Sequence, residues 1–488
     1  MLAAGLRKTS PGRSEGKRGQ VRCRGRSSPG CRKRGPGGRP GMFWPAGAGS
    51  WKAEFAGLAL SIFPLGILIW SWPSRTATMI EHRSDNTVQR NLRVGFDGGC
   101  LVNRRGFGRF ARGILGGLVE TNPGHSLEIF ADEATVARLD IPAGVSVRSV
   151  PSRRMAVEAA TASGNRSLGE IGRMMRAVRA ARYDVVYFPT SMTFVPLPGV
   201  RNLVVTMHDT LAVDRPDLVF PTRAGRWFWW LKEQAARWSA ARLTTVSETS
   251  RRDLARFFRM DESRIGLLTE GVDPVFYRQS AGAPGFAEVA ARYKVPPDRP
   301  LWTYVGGLSP HKNLIRLIEA FAGLPDSTGD LVLVGDFADT FHTHIPELRA
   351  KVAESGRADR IHLPGFVPDD ALAVLYRHSR AVVLPSLWEG FGLPAAEAMA
   401  CGTPVLHSTA GSLPEIVGDA GIAFDPLSVD AIRAAWLLLA NDDELRQSLA
   451  ARGRIRSQNY RWSRAGEMLW HEIESVAGPA MRHRSLAG

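Results

Sequence analysis

Two glutamates in a segment of small residues are the first candidates for chemistry in this sequence. Glu389 and Glu397 lie eight positions apart in EGFGLPAAEAMACG, residues 389–402. Pro394 suits the first turn of a helix, which predicts Glu389 in the preceding loop and Glu397 in the opening turn. A carboxylate near a helix N-terminus is held ionised and can accept hydrogen bonds from sugar or ribose hydroxyls. Taken alone, two solvated surface acids are the simpler explanation.

A phosphate site is the second candidate. The strand-like segment LWTYVGG ends in Gly306 and Gly307, and LSPHKN then leads into a helix for which Asn313 is the expected N-cap. The glycines let the backbone approach a ligand, and Lys312 would add a positive charge beside a helix N-terminus. An ordinary turn with a solvated lysine is the alternative.

The elements that position these residues form two series. Apolar, β-branched runs such as DVVYF and LVVT alternate with helical patterns from residue 91 onward, and a second such series begins at residue 301. Nearly all-apolar strands predict parallel sheets covered on both faces. The fold class predicted is therefore α/β, with two doubly wound Rossmann-like domains. Ligands bind at the C-terminal strand edges of such sheets, so the two domains should face each other across a cleft.

Composition shifts give the domain boundaries. We predict residues 1–78 as a disordered basic leader with an apolar segment, 91–276 as the N-terminal Rossmann-like domain, 277–300 as the linker, 301–460 as the C-terminal Rossmann-like domain, and 461–488 as a helical tail that packs back on the N-terminal domain.

The stretch PSLWEGFGLPAAEAMACGTPVLHS strongly resembles the E-x7-E region of the family 4 retaining glycosyltransferases, which have the GT-B fold. The blocks YVGGLSPHKNL, VVTMHDTLAV, TTVSETSRRDL and EGVDPVF are similar to that family's blocks and follow in its order. The resemblance covers roughly residues 91–470. It implies that the two glutamates hold a nucleotide sugar, that residues 91–276 form the acceptor domain and that residues 301–460 form the nucleotide-sugar domain.

The resemblance implies a role for each matching residue. Glu389 would lie near the donor sugar, the backbone of Phe391 and Gly392 near the sugar and phosphates, and Glu397 at the ribose. Lys312 would pair with the diphosphate. The arginine that often accompanies this lysine is missing, since its candidate places hold Gly307 and His311.

Two further positions are expected on the N-terminal side of the cleft. His208, at the end of LVVTM, matches a histidine that lines the cleft near the donor, although a structural hydrogen-bonding role explains it equally well. Gly106 and Gly108 in NRRGFGRFARGI are expected to form the loop that meets the donor phosphates and the acceptor. A short Gly-x-Gly also serves ordinary tight turns.

No Asp-x-Asp motif occurs in the chain, which agrees with the metal-free chemistry that the resemblance implies. We therefore expect no metal and no cofactor, with leaving-group charge met by Lys312 and helix N-termini. The function expected is a retaining glycosyltransferase that moves a hexose, with mannose favoured, from a nucleotide diphosphate sugar to a glycan, lipid-linked or small-molecule acceptor. A nucleotide-sugar epimerase of the same fold and a non-catalytic carbohydrate-binding protein are the alternatives.

One tryptophan-rich segment could touch a membrane. RAGRWFWWLKEQAARWSAARL, residues 223–243, is helix-like and basic. Because Trp227, Trp230, Leu231 and Trp238 share a side at helical spacing, we favour a core helix over an interfacial helix near a lipid-linked acceptor.

The N-terminal residues complicate the choice of compartment. Residues 1–52 contain 13 of the 63 Lys and Arg but one acid, so most of the net charge of +16 lies there and does not indicate a nucleic-acid partner. Residues 55–72 are apolar and long enough to span a bilayer, which would leave the enzyme outside the cytoplasm. Nucleotide sugars and four scattered cysteines favour a cytoplasmic protein, with peripheral contact at the inner membrane face. The hypothesis that follows is a translation start at or near Met79; a real N-terminal anchor is the alternative.

Overall fold

The computed structural model describes residues 91–103, 106–152, 167–220, 222–278, 282–337 and 345–478. The predictions for residues 1–78 lie outside these ranges. Within them, two sheets of parallel strands follow each other along the chain, so the predicted fold of two doubly wound α/β domains is confirmed.

The first sheet has seven strands in the order β3-β2-β1-β4-β5-β6-β7. Its strands are β1 (Arg93–Asp97), β2 (Ser126–Asp132), β3 (Ser146–Val150), β4 (Val185–Phe188), β5 (Leu203–Thr206), β6 (Arg242–Thr245) and β7 (Ile265–Leu267). Strands β4 and β5 are fully buried because helices cover both faces of the sheet. Strand β3 was not predicted; it forms the edge, and only Val150 of its five residues is buried.

The second sheet has six strands in the order β10-β9-β8-β11-β12-β13. Its strands are β8 (Leu301–Val305), β9 (Asp330–Val334), β10 (Ile361–Gly365), β11 (Ser379–Leu384), β12 (Val405–Ser408) and β13 (Gly421–Phe424). In both sheets the strand order reverses beside the first strand of the series, between β1 and β4 and between β8 and β11. This switch point is where ligands bind in doubly wound sheets.

Helices connect the strands. Those between the strands of the first sheet are α1 (Gly106–Glu120), α2 (Glu133–Val136), α3 (Leu168–Ala181), α4 (Leu211–Asp214), α5 (Arg223–Ser239) and α6 (Glu248–Phe258). Those that follow are α7 (Pro274–Tyr277), α8 (Phe286–Tyr293), α9 (Leu314–Ala322), α10 (Ile345–Glu354), α11 (Asp369–His378), α12 (Leu393–Cys401), α13 (Leu413–Val417), α14 (Val429–Asn441), α15 (Asp443–Ser457) and α16 (Trp462–Ala477).

The last helix, α16, returns to the N-terminal domain. Gly466 and Gly117 of α1 let the two backbones meet, since a Cβ on Gly466 would lie 2.3 Å from the carbonyl of Gly117. Trp470 Nε1 donates to Leu118 O over 3.0 Å, and Arg242 pairs with Glu472 at 2.6 Å. The chain therefore crosses between the domains twice, once through residues 268–300 and once before α16.

Helix α5 is not the core helix that its pattern predicted. Trp227 and Trp238 are exposed, whereas Trp229, Glu233 and Ala236 face the protein. The prediction was wrong because both sides of this helix carry apolar residues, and spacing alone does not tell which side is buried. No helix in the described part of the chain is long and apolar enough to cross a membrane.

Candidate active site

The loop after β8 lies at the C-terminal edge of the second sheet and is shaped by glycine. A Cβ on Gly306 would lie 2.5 Å from the hydroxyl oxygen of Tyr304. That hydroxyl donates to Gly307 O over 2.6 Å. A side chain at position 306 would displace the buried Tyr304, so the packing at this position requires glycine.

Lys312 and Glu389 meet at this edge. The Nζ atom of Lys312 lies 2.6 Å from Oε1 of Glu389, and Ser386 Oγ donates to the same oxygen over 2.8 Å. The two charged side chains are 16% and 13% exposed. The ends of β8 and β11 thus place a cation and a carboxylate in contact, 77 residues apart in sequence.

The two residues that flank Lys312 in sequence, His311 and Asn313, do not add a second cation. Burial, followed by the charge of Lys312, lowers the pKa of His311 to about 3, so His311 is neutral at pH 7. Asn313 occupies the N-cap position of α9, but its side chain does not cap the helix. Instead its amide donates to the carbonyl oxygens of Pro385 and Pro426 and ties the Lys312 turn to the loop after β11.

The predicted glycine-rich loop before α12 is fixed by its backbone. Gly392 has a φ of 97°, and a Cβ there would lie 2.7 Å from a methyl group of Leu413. The Phe391 side chain is buried against Tyr460, with ring centroids 5.4 Å apart, so only its backbone can face a ligand. Ser412 Oγ donates to the carbonyl oxygens of Glu389 and Phe391 and thereby stabilises the loop.

The N-terminal domain contacts this loop directly. Gly390 O accepts hydrogen bonds from Ser247 Oγ at 2.6 Å and Ser250 Oγ at 3.1 Å, both at the start of α6. A Cβ on Gly390 would lie 2.8 Å from the carbonyl oxygen of His208. Glu415 accepts from the first amides of α6, a favourable place for a carboxylate. The two strand edges therefore face each other at Gly390.

His208 is positioned by neighbours on three sides. Its Nε2 lies 3.0 Å from Pro189 O and its Nδ1 lies 3.6 Å from Glu270 Oε1. Phe107 and Phe110 pack edge-on against the ring. Burial raises the pKa of Glu270, because its charged form is poorly solvated, although the neighbouring His208 opposes this.

Asp209, next to His208, connects the two halves electrostatically. Its Oδ1 accepts from Leu211 N at 2.8 Å. Burial raises its pKa, the Glu389 carboxylate raises it further, and Lys312 lowers it. Asp209 of the N-terminal domain therefore lies within reach of the charges of Lys312 and Glu389 in the other domain.

Glu397 lies in the second turn of α12, since the helix begins at Leu393, and so not in the opening turn as predicted. It is 1% exposed. Its carboxylate pairs with Arg109 Nη1 at 3.1 Å and accepts from Tyr376 Oη at 3.1 Å. Burial raises its pKa to about 7, and the Arg109 cation opposes this rise, so Arg109 rather than the helix N-terminus favours the ionised form.

Arg109 crosses from α1 of the N-terminal domain to three carboxylates. Besides Glu397, it contacts Asp369 at 2.6 Å, at the start of α11, and Asp273 at 3.7 Å. Burial disfavours the cation, but Glu397, Asp369 and Asp273 together raise the pKa of Arg109 above its ordinary value. This ion-pair cluster joins the domains beside the predicted ribose site.

Gly106 and Gly108 do not form a loop; both lie in the first turn of α1. A Cβ on Gly108 would lie only 1.9 Å from Asn103 O, which requires glycine, whereas the space beside Gly106 is open. The side chain that crosses the cleft from this segment belongs to the next residue, Arg109.

A cavity of about 1000 Å³ lies beside Arg109, which forms part of its lining. None of the predicted donor-site residues lines it. Its lining is rich in arginine: Arg109, Arg112, Arg278, Arg377, Arg454 and Arg461.

Sequence reasoning missed Arg109, Asp209 and Glu270, although all three lie beside or within segments that were singled out. No feature of the sequence indicates that Arg109 pairs with Glu397, which lies 288 positions further along the chain. Among the described residues, no group of three or more His, Cys, Asp or Glu side chains is placed to hold a metal ion.

Solved structures share this architecture. HepE of Anabaena, solved in complex with UDP and glucose, matches with a TM-score of 0.59 at 19% identity, over 79% of this chain and 100% of that one. The fold is therefore GT-B.

Two sequence families match the two domains. The family described as Glycosyltransferase Family 4 matches residues 105–276, and Glycosyl transferases group 1 matches residues 286–456. The chain belongs to the family 4 glycosyltransferases.

Curated relatives cover part of the chain. The O-antigen chain mannosyltransferase B of Escherichia coli is 35% identical over 46% of this chain and 58% of its own length. The MMP alpha-(1->4)-mannosyltransferase of Mycolicibacterium hassiacum is 31% identical over 52% of this chain and 60% of its own length. The chain thus spans about three fifths of these relatives.

Proposed function

We propose that this protein is a retaining glycosyltransferase that moves a hexose from a nucleotide diphosphate sugar to a glycan, lipid-linked or small-molecule acceptor. The observation that carries the proposal is the contact between Lys312 and Glu389 at the C-terminal edge of the second sheet, facing His208 and Asp209 at the edge of the first. A cation for a diphosphate and carboxylates for sugar hydroxyls are the groups that such a donor requires.

The donor would replace the pairing within the site. Its diphosphate would take over Lys312, which releases Glu389 to accept from sugar hydroxyls. The ribose hydroxyls would donate to Glu397, whose two oxygens each already accept from Arg109 or Tyr376 and retain further lone pairs. Backbone N–H groups of Phe391 and Gly392 would face the sugar and phosphates.

Transfer would need little covalent chemistry from the protein. The acceptor oxygen forms a bond to the anomeric carbon while the bond from that carbon to the phosphate oxygen breaks on the same face, and the acceptor proton passes to the leaving diphosphate. Lys312 would stabilise the charge that develops on the leaving group, without a metal. His208, oriented by Pro189 and Glu270, would line the sugar pocket.

Mannose is the sugar that we propose, because two relatives with 35% and 31% identity are named mannosyltransferases. A glycan or lipid-linked acceptor fits the first of these names. Nucleotide sugars are made in the cytoplasm, so we place the protein there. Peripheral contact with the inner membrane face belongs to this proposal, since a lipid-linked acceptor is presented at a bilayer.

The test is release of free nucleoside diphosphate from a panel of GDP, UDP and ADP sugars, measured with and without a pool of lipid-linked and soluble glycan acceptors. We expect acceptor-dependent release from one donor, and an α-linked product from an α-linked donor by NMR. Glu389→Gln should abolish most of the turnover. Formation of an isomeric nucleotide sugar without free diphosphate would identify an epimerase instead, and binding without any turnover would identify a carbohydrate-binding protein.

A further inference from the structure

The outward side of α5 is unusually apolar. Five large apolar side chains on this helix are exposed, and we call them the tryptophan face: Trp227 (65%), Phe228 (54%), Trp230 (38%), Leu231 (54%) and Trp238 (71%). Scattered apolar residues are normal on protein surfaces, but a contiguous patch of this kind marks an interaction site.

The tryptophan face is a continuous strip. Trp227, Leu231 and Trp238 recur at spacings of four and seven, so they stack along one side of the helix over about 17 Å. Trp227 and Trp230 touch, with ring centroids 5.4 Å apart. The opposite side of α5 is already occupied, since Trp229 and Ala236 are buried in the domain. The strip thus has no role in the core.

The surroundings are positively charged. From Leu211 to Arg259 the chain has ten Lys and Arg and five Asp and Glu, a net charge of +5. The one acid of α5, Glu233, is buried on the inner side and accepts from Ser191 Oγ at 2.6 Å. Arg223 at the start of the helix is exposed. Helix α5 therefore offers no carboxylate beside its apolar strip.

We propose that the tryptophan face docks on an anionic lipid bilayer. Tryptophan favours the interface between headgroups and acyl chains, because its ring is apolar and its N–H is polar. Basic residues near an anionic leaflet add attraction. A second copy of the chain would fit less well, because a symmetric contact would bring two positively charged segments together.

Helix α5 lies beside the C-terminal edge of the first sheet, where the acceptor side of the cleft is expected. The helix follows β5, whose C-terminal end carries His208, and Lys232 contacts Met192 in the turn after β4. Both points lie at the C-terminal edge of the first sheet. Docking through α5 would hold the acceptor side of the cleft against the bilayer surface. The proposal rests on the peripheral membrane contact proposed above and names the surface that makes it. Vesicle binding is measured without any donor, so its failure is distinguishable from failure of the transferase assignment.

The test uses the full chain and sedimentation with vesicles, read out by protein in the pellet and by the blue shift of tryptophan fluorescence. One set of vesicles is phosphatidylcholine alone and the other contains phosphatidylglycerol as well. We expect binding to the anionic vesicles that weakens with added salt. Trp227→Ala combined with Trp238→Ala should weaken it by about tenfold or more, since each ring buries a large apolar area.

A matched control separates this surface from other apolar sites. Leu427→Ala combined with Ile455→Ala removes two comparably exposed apolar side chains from the other domain and should leave vesicle binding unchanged. Equal binding by the parent and the tryptophan variant would overturn the proposal, because the contact would then come from another segment, such as the apolar run at 55–72. Self-association that is lost in the tryptophan variant, with no vesicle binding by the parent, would make the face a subunit interface and also overturn it.

Discussion

Replacement of Lys312 by alanine is the sharpest test of how the donor diphosphate is held. Lys312 Nζ lies 2.6 Å from Glu389 Oε1. The substitution removes the cation that we assign to the diphosphate, and it leaves Glu389 with Ser386 as its hydrogen-bond partner. Because His311 is neutral, no neighbouring side chain in this turn compensates for the lost charge.

The size of the effect follows from two opposing terms. A charge-assisted hydrogen bond to phosphate contributes about 1.5–3 kcal/mol. Release of Lys312 from Glu389 costs the parent up to about 1 kcal/mol, as for ion pairs near a surface. The net loss in Lys312→Ala is then roughly 0.5–3 kcal/mol, which weakens nucleoside diphosphate binding about 2- to 150-fold.

The assay is calorimetric titration with GDP and UDP, and with guanosine and uridine for comparison. Lys312→Ala should weaken binding of the diphosphate and leave that of the nucleoside unchanged. Lys351→Ala is the matched control, because Lys351 forms a similar pair with Glu319 on helices of the same domain. Glu389→Gln, which frees Lys312, should bind the diphosphate as well as the parent or more tightly while turnover falls. Diphosphate affinity that is unchanged in Lys312→Ala would refute the assignment.

Three further predictions concern metal and pH. Full turnover should survive excess EDTA, whereas a strict need for added magnesium or manganese would mean that Lys312 does not balance the diphosphate charge alone. Arg109→Gln should lower the melting temperature more at pH 8 than at pH 5. Without the Arg109 cation the pKa of Glu397, about 7 in the parent, would rise further, so its ionisation at pH 8 would cost the folded state more free energy. A loss of melting temperature that is the same at both pH values would contradict this. Glu233→Gln should have the opposite pH dependence. Burial raises the pKa of Glu233 to about 7, so the parent loses stability as the pH rises from about 4.5 to 7. The variant lacks this carboxyl, so its melting temperature should rise relative to that of the parent over that range.

Strand positions were predictable because buried parallel strands are almost entirely apolar. The strand-like segments DVVYF, LVVT and LWTYVGG each overlap a strand of the structure. Strand β3 (Ser146–Val150) was not predicted because an edge strand with mixed residues lacks that signal. The alternation of strand and helix predicts parallel sheets with right-handed crossovers, but it does not fix the order of the strands in each sheet.

The site was less predictable than the fold. Lys312 and Glu389 were found through local motifs, but their contact depends on which strand ends are neighbours. The pairing of Glu397 with Arg109 joins two domains and has no local signal. The pKa of Glu397 is set mainly by its burial, and burial is a property of the folded chain rather than of the motif. The outward orientation of α5 was missed for a similar reason, since Trp229 and Trp227 lie on opposite sides and both are apolar.

The measurement that tests the central claim most directly is a structure with a bound, non-transferable nucleotide sugar, such as a 2-deoxy-2-fluoro analogue. The account predicts the diphosphate within hydrogen-bond distance of Lys312 Nζ, sugar hydroxyls at Glu389 and ribose hydroxyls at Glu397, with the contact between Lys312 and Glu389 broken. A ligand bound in the arginine-lined cavity beyond Arg109, with Lys312 and Glu389 still paired, would contradict it.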